Sequence, residues 1–170
     1  MRRDPLANPE PLIRRVYAYV AYRIGDGPDA EDVTSEVFER ALRFRGTYDA
    51  ARGEPAAWLV GIARRCVADR ARPLASSPPP DLAGPGDLEA ATIGRLALAE
   101  AVRCLPERDQ ELIALRYGAD LSAKQIAKLT GMQTNAVEVA LHRALTRLRA
   151  QFGEGDDGEP RPSALRAVRI

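Results

Sequence analysis

Two stretches of this sequence hold side chains suited to handling nucleic acid. The first is FRGTYDAARGEPAAW, residues 44–58, where Phe44, Tyr48 and Trp58 alternate with Arg45 and Arg52. Aromatic rings stack on unpaired bases and guanidinium groups hold phosphates, so the segment fits a platform for single-stranded nucleic acid. The plainer alternative is that Phe44 and Trp58 anchor helix ends in a core. For Trp58 that alternative is the better one, because it opens an apolar helical run. The second stretch, LSAKQIAKLTGMQTNAVEVALHRALTRLR, residues 121–149, reads as a short helix, a tight turn and a longer helix. Ser122 is placed to cap the first helix and Thr134 the second. Ile126 and Leu129 point inward, small Ala127 permits close packing, and Gly131 tolerates the positive φ of the turn. Met132 packs from that turn, and Val137, Leu141, Leu145 and Leu148 form the inner stripe of the longer helix. This is the spacing of a helix-turn-helix. Its outer side carries Gln133, Thr134, Asn135, Glu138, Val139 and His142. Amides can pair with adenine and a carboxylate can accept from cytosine. Arg143, Arg147 and Arg149 follow, where phosphate contacts are expected.

Charge is segregated along the chain although the formal net charge is only +1. Residues 26–42 are acidic, 43–72 are basic, and 121–152 are basic again. Asp29, Asp32, Glu36 and Glu39 recur at helical steps beside an apolar stripe of Ala30, Val33, Val37 and Ala41, the pattern of an amphipathic helix with one acidic face. Arg43, Arg45, Arg64, Arg65 and Arg72 dominate the next block. Alternating blocks point to more than one partner. An enzyme is not expected: no paired carboxylates, phosphate-cradling glycine loop or Ser/His/Asp set is apparent. His142 is the only histidine, and Cys66 and Cys104 are far apart, so no metal or other cofactor is expected. Both thiols read as small buried hydrophobes. No run approaches the roughly 20 apolar residues of a membrane span, and a cytoplasmic protein is expected.

Helical periodicity recurs throughout, for example at Leu12, Val16, Tyr19, Val20 and Ile24, and again at Leu59, Ile62, Ala63, Cys66 and Val67. Aromatic residues are only 5% of the chain, so the core must be built from aliphatic side chains. The stretch PLASSPPPDLAGPGDL, residues 73–88, cannot continue a helix, because proline lacks the amide donor and clashes with the preceding turn. The expected fold class is therefore all-α: two small helical domains joined by a Pro-rich linker, the second containing the helix-turn-helix. The boundaries expected are 8–72, a linker over 73–91, 92–152, and a flexible tail over 153–170 whose last residues fit either a helix or a strand. Within the second domain Pro106 is expected to start a helix, with acids in its first turn, and Gly118 to cap it.

With these residues in view, the chain resembles the extracytoplasmic-function group of bacterial RNA polymerase sigma factors over roughly 10–72 and 95–150. DAEDVTSEVFERAL (29–42) is similar to the group's core-binding helix. FRGTYDAARGEPAAWLVGIARRCVADRAR (44–72) is similar to the segment that melts and reads the minus-ten element. LPERDQELIALRYGADLSAKQIAKLTGM and the helix after it are similar to the domain that reads the minus-thirty-five element. The resemblance implies that Asp29, Asp32, Glu36 and Glu39 dock on the clamp coiled coil of the polymerase's largest subunit. It implies that Arg43, Arg45, Tyr48, Arg64, Arg65 and Arg72 serve the minus-ten region, and that Gln133, Thr134, Asn135, Glu138, Val139, His142, Arg143 and Arg147 serve the helix-turn-helix. Its implied partners are core RNA polymerase, including the flap region, promoter DNA, and an anti-sigma factor of the kind many relatives have. One departure is that Glu138 and Ala140 stand where the group commonly carries lysine or arginine. A stand-alone helix-turn-helix regulator is the alternative reading, and it leaves 29–72 without a role.

Overall fold

The computed structural model describes residues 4–70 and 97–152. The Pro-rich linker, Arg72 and the tail from 153 lie outside the described residues. Helix α1 (Pro9–Ile24) begins on prolines, whose missing amide costs nothing in a first turn, and stops at Gly25, φ 95°. Helix α2 (Pro28–Phe44) starts in the same way, with Asp29 and Glu31 at the positive end of its dipole. A 3₁₀ turn at Arg45–Thr47 leads into the loop before α3 (Pro55–Arg70). The expected stripe of Ala30, Val33, Val37 and Ala41 has no exposed surface at all. It packs with Val16, Tyr19 and Val20 of α1 and Leu59, Val60, Ala63 and Cys66 of α3. Each fully buried valine or leucine contributes about 1.5–3 kcal/mol, so this stripe is what holds α2 to its neighbours.

The second half contains α4 (residues 97–103), α5 (Glu107–Ile113), α6 (Ala123–Thr130) and α7 (Thr134–Gln151). Among the described residues there is no strand, and the all-α architecture stands. Ser122 caps α6 through a full capping box: its hydroxyl accepts from the Gln125 N–H at 3.3 Å, and its own N–H donates to Gln125 Oε1 at 2.8 Å. Gly131 closes α6 at φ 74°, as its position in the turn requires. Thr134 does not cap α7; it is the first helical residue, after Gln133 at the cap position, and no side-chain cap bond forms. Cys104 also departs from expectation. It is exposed, because Ala101, Val102 and Leu105 take the inward positions around it, whereas Cys66 is buried as expected.

Gly118 is where the structure differs most informatively. After α5 the chain widens into a π turn over Ala114–Gly118, with the Ala119 N–H donating to the Ala114 carbonyl at 2.9 Å. The left-handed residue that ends it is Asp120, φ 54°, so Gly118 is not the expected cap. Its lack of a side chain serves a contact between the two halves. A Cβ there would sit 2.9 Å from Tyr19 Cα and 3.0 Å from the Ala18 carbonyl carbon. Helix α1 thus lies directly on the π turn, and buried residues from both halves merge into one core.

Ser122→Ala should lower the unfolding free energy by about 0.5–2 kcal/mol, the usual worth of an N-cap hydroxyl. Thr134→Ala should cost clearly less, because its hydroxyl caps nothing. Urea-denaturation midpoints of the two variants check this ordering.

Candidate protein-docking and nucleic-acid interfaces

Packing the apolar stripe of α2 turns its acidic stripe outward. Asp29, Asp32 and Glu39 are exposed, while Glu36 is half-buried and paired with Arg40 at 2.5 Å. Arg40 also reaches Asp69 at 3.3 Å, so Glu36 belongs to a local network rather than to the open ridge. Asp29 has only a loose partner, Arg70 at 3.8 Å. Asp32 and Glu39 have no ion pair among the described residues. Leu42 continues their line at helical spacing and is 57% exposed, and Phe44 at the helix end is 52% exposed. Apolar side chains beside free carboxylates suit a protein-docking surface better than a merely solvated one. The sequence reading passed over Leu42. The clue was there, since Leu42 falls off the Ala30–Ala41 stripe.

The aromatic loop is only partly a free platform. Arg43, Arg45 and Arg65 are exposed, as is Phe44. Tyr48, by contrast, is a fastener: its ring lies 5.5 Å from that of Trp58 at 59°, and its hydroxyl donates to the Gly53 carbonyl at 3.0 Å. Trp58 packs against the core, as expected of a helix anchor. Arg64 is not free either, because both ends of its guanidinium are used by the second half. Nε donates to Glu111 Oε1 at 2.7 Å and Nη1 to the Leu129 carbonyl at 2.7 Å.

On α7, Gln133, Asn135, Glu138, His142 and Arg143 are exposed, Val139 is 50% exposed, and Thr134 is half-buried. The structure therefore brings the residues expected to read bases together on one side of one helix. Arg147 is set apart: it donates to Asp109, a carboxylate only 6% exposed at the start of α5. That bond ties α7 to α5, while Arg143, beside the exposed side of α7, has no ion pair among the described residues. An open cleft of about 610 Å³ runs between Pro106, Arg108, Val139 and Arg143.

Where the halves meet, Glu111 of α5 is nearly enclosed, with its side chain 17% exposed. Arg64 bonds it, Arg23 Nε lies 3.1 Å from its Oε2, and the Tyr19 hydroxyl is 3.2 Å from both carboxylate oxygens. Burial, followed by the charge of Glu111, pushes the Tyr19 phenol far above its ordinary range, so it stays protonated and donates. Arg15 donates to the Ala119 and Asp120 carbonyls at 2.7 and 3.0 Å. None of these pairs was legible in the sequence, since the partners lie 47 to 105 residues apart.

Comparisons with known proteins place these surfaces in a family. The Sigma-70 region 2 model matches residues 10–75, and the Sigma-70, region 4 model matches residues 95–148. The chain is 33% identical over 172 residues to the ECF RNA polymerase sigma factor SigD of Mycobacterium tuberculosis, covering 91% of this chain and 78% of that one. It is 35% identical to the ECF RNA polymerase sigma factor BldN of Streptomyces coelicolor over 78% of this chain, and it spans about half, 54%, of BldN. In fold it is similar to the sigma factor RpoE from Bartonella quintana, solved with the anti-sigma factor NepR, at a TM-score of 0.66, 17% identity, and coverage of 85% and 94%. A second fold match is CnrH, solved with the cytosolic domain of CnrY, at a TM-score of 0.62, 22% identity, and coverage of 85% and 83%. Two sigma-70 regions in their usual order define a promoter-directing subunit of RNA polymerase. The chain belongs to the ECF group of RNA polymerase sigma factors.

Replacing Asn135 or Glu138 should change the preferred upstream hexamer by about 1–3 kcal/mol per affected base pair. Arg143→Ala should weaken all sequences alike. Selection from a randomised hexamer library with holoenzyme distinguishes these outcomes.

Proposed function

We propose that the open ridge of α2, centred on Asp32 and Glu39 with Asp29 and Leu42 beside them, seats the chain on the clamp coiled coil of core RNA polymerase. The second module sits at the flap region. Arg43, Arg45, Arg65 and Arg72 hold the non-template strand of the minus-ten element, joined by Arg64 when its bond to Glu111 opens. Phe44 is the ring best exposed to take an unstacked base, with Tyr48 shaping the loop behind it. Asn135, Gln133, Glu138, Val139 and His142 read the minus-thirty-five element, and Arg143 holds a phosphate. The observation that carries this reading is the division of α2, whose buried stripe leaves unpaired carboxylates and an exposed leucine on the other side.

Mechanistically, such a subunit contributes binding rather than bond-making; nucleotide chemistry belongs to the polymerase. Extruding a base from a duplex costs a few kcal/mol, and capture of the separated strand offsets that cost. A net charge of +1 releases few counterions, so the chain alone should hold DNA weakly. Glu138 and Ala140 lower that attraction further at the reading helix. The chain would act in the cytoplasm, where the polymerase works. The anti-sigma complexes of its structural neighbours support an inhibitor of that type as a third partner.

Run-off transcription with purified core enzyme tests the reading: the chain should yield promoter-dependent transcripts, and none from any promoter of a genomic library would refute it. Asp32→Lys with Glu39→Lys should weaken core binding by at least about tenfold, roughly 1.4 kcal/mol, without changing thermal stability. Titration of labelled chain with core enzyme checks this.

A further inference from the structure

We propose that the acidic stretch 154–159, which follows α7 in the chain, docks on the arginines in the C-terminal half of α7 and competes there with the phosphates of DNA. Its consequence for promoter recognition rests on the sigma-factor reading; the contact itself does not.

Helix α7 leaves Arg143 and Arg149 exposed, with no ion pair for either among the described residues. At about 100° per residue, Arg149 falls in line with Asn135, His142 and Thr146, and Arg143 lies about 80° to one side of Asn135. Arg147, next to them, is already held by Asp109. The complementary charge comes next in sequence. GEGDDGE, residues 153–159, carries Glu154, Asp156, Asp157 and Glu159, and no cation of the stretch precedes Arg161. Carboxylates pair with guanidinium groups through two parallel hydrogen bonds, the same fork that grips a phosphate. The two kinds of anion therefore contend for the same side chains.

Distance permits the contact. Helix α7 rises about 1.5 Å per residue, so Arg149 and Arg143 stand about 3 Å and about 12 Å back along the axis from Gln151. An extended chain covers about 3.3–3.6 Å per residue, so Asp156 and Asp157 can reach back from Gln151 at least as far as Arg143. Gly153 puts no Cβ in the way of a reversal directly after the helix. Glu138, exposed and nearer the start of α7, repels the stretch and limits it to the last turns. Tethering through a few residues raises the effective concentration to about the millimolar range, so pairs too weak to join separate molecules become populated. Exposed ion pairs are individually weak and screened by salt. The stretch is therefore a competitor that DNA can displace, and its release returns both guanidinium groups to phosphates.

The test compares the full chain with two variants. In one, Glu154→Gln, Asp156→Asn, Asp157→Asn and Glu159→Gln neutralise the stretch; in the other, a long Gly/Ser insert after Gly153 moves it away at unchanged charge. Circular dichroism should show the same helix content in all three. At low salt, the NMR signals of the Arg143 and Arg149 side chains should shift from their parent positions in both variants. About 1 M salt should bring all three chains together, as the screening length falls to about 3 Å. Both variants should bind a short fluorescent duplex of random sequence about two- to tenfold more tightly, the gain expected when about half to nine-tenths of the chain is masked. Arginine signals that coincide in the parent and the neutralised chain would overturn the docking. Signals that move on dilution of the parent would do the same, by assigning the contact to a second copy. Tighter DNA binding by the neutralised chain alone would reduce the effect to net charge and overturn the competition. Docking in a chain that drives no promoter-dependent transcription, with or without the acids, would overturn the sigma-factor reading and leave the contact standing.

Discussion

Helix α2 is fixed by four small side chains, Ala30, Val33, Val37 and Ala41, that fill the groove between α1 and α3 without any exposure. Because a helix repeats every 3.6 residues, committing that stripe to the core dictates where everything else on α2 points. Asp32, Glu39 and Leu42 face outward, and Glu36 falls at the margin where Arg40 can reach it. Loosening the stripe would rotate the ridge and the aromatic loop together, since Phe44 and Arg45 follow α2 directly. The proposed docking surface and the start of the proposed strand-binding surface are therefore carried by the same helix.

The charge pattern gains meaning only after internal pairings are taken into account. Of the basic side chains singled out from the sequence, Arg64 and Arg147 are engaged within the fold, on Glu111 and Asp109. Among the described residues, Arg43, Arg45, Arg65, Arg143 and Arg149 are exposed and carry no ion pair. Asp109 and Glu111, two residues apart on α5, serve different ends: one ties down α7 within its own half, and the other reaches across to the first half. A short helix can do both because successive carboxylates on it diverge by about 200°.

Much of this was readable in advance where the determinants are local. The stripes of α1, α2 and α3, the Ser122 cap and the Gly131 turn all follow from spacing within a dozen residues, and each is present. Thr134 was misread because a threonine before an apolar run marks a helix start only to within a residue or so. Cys104 was misread because apolar flanks do not specify which way a residue at a helix end faces. Gly118 looked like a cap, since a glycine near a helix end usually is one; its true reason, the backbone of α1, lies about a hundred residues away in sequence. The same distance hid Arg23 and Glu111. Local rules found the surfaces, and long-range packing decided which of their side chains are free.

In the proposed mode of action, two modules of one chain engage two parts of one promoter while α2 grips the polymerase. Footprinting a single promoter complex with hydroxyl radicals and permanganate examines this directly. With core enzyme and the chain together, the upstream hexamer should be protected and thymines near the start site should become reactive in the same complex, and neither change should occur when either protein is omitted. Protection and melting that occur without core enzyme, or upstream protection with no melting, would contradict the account.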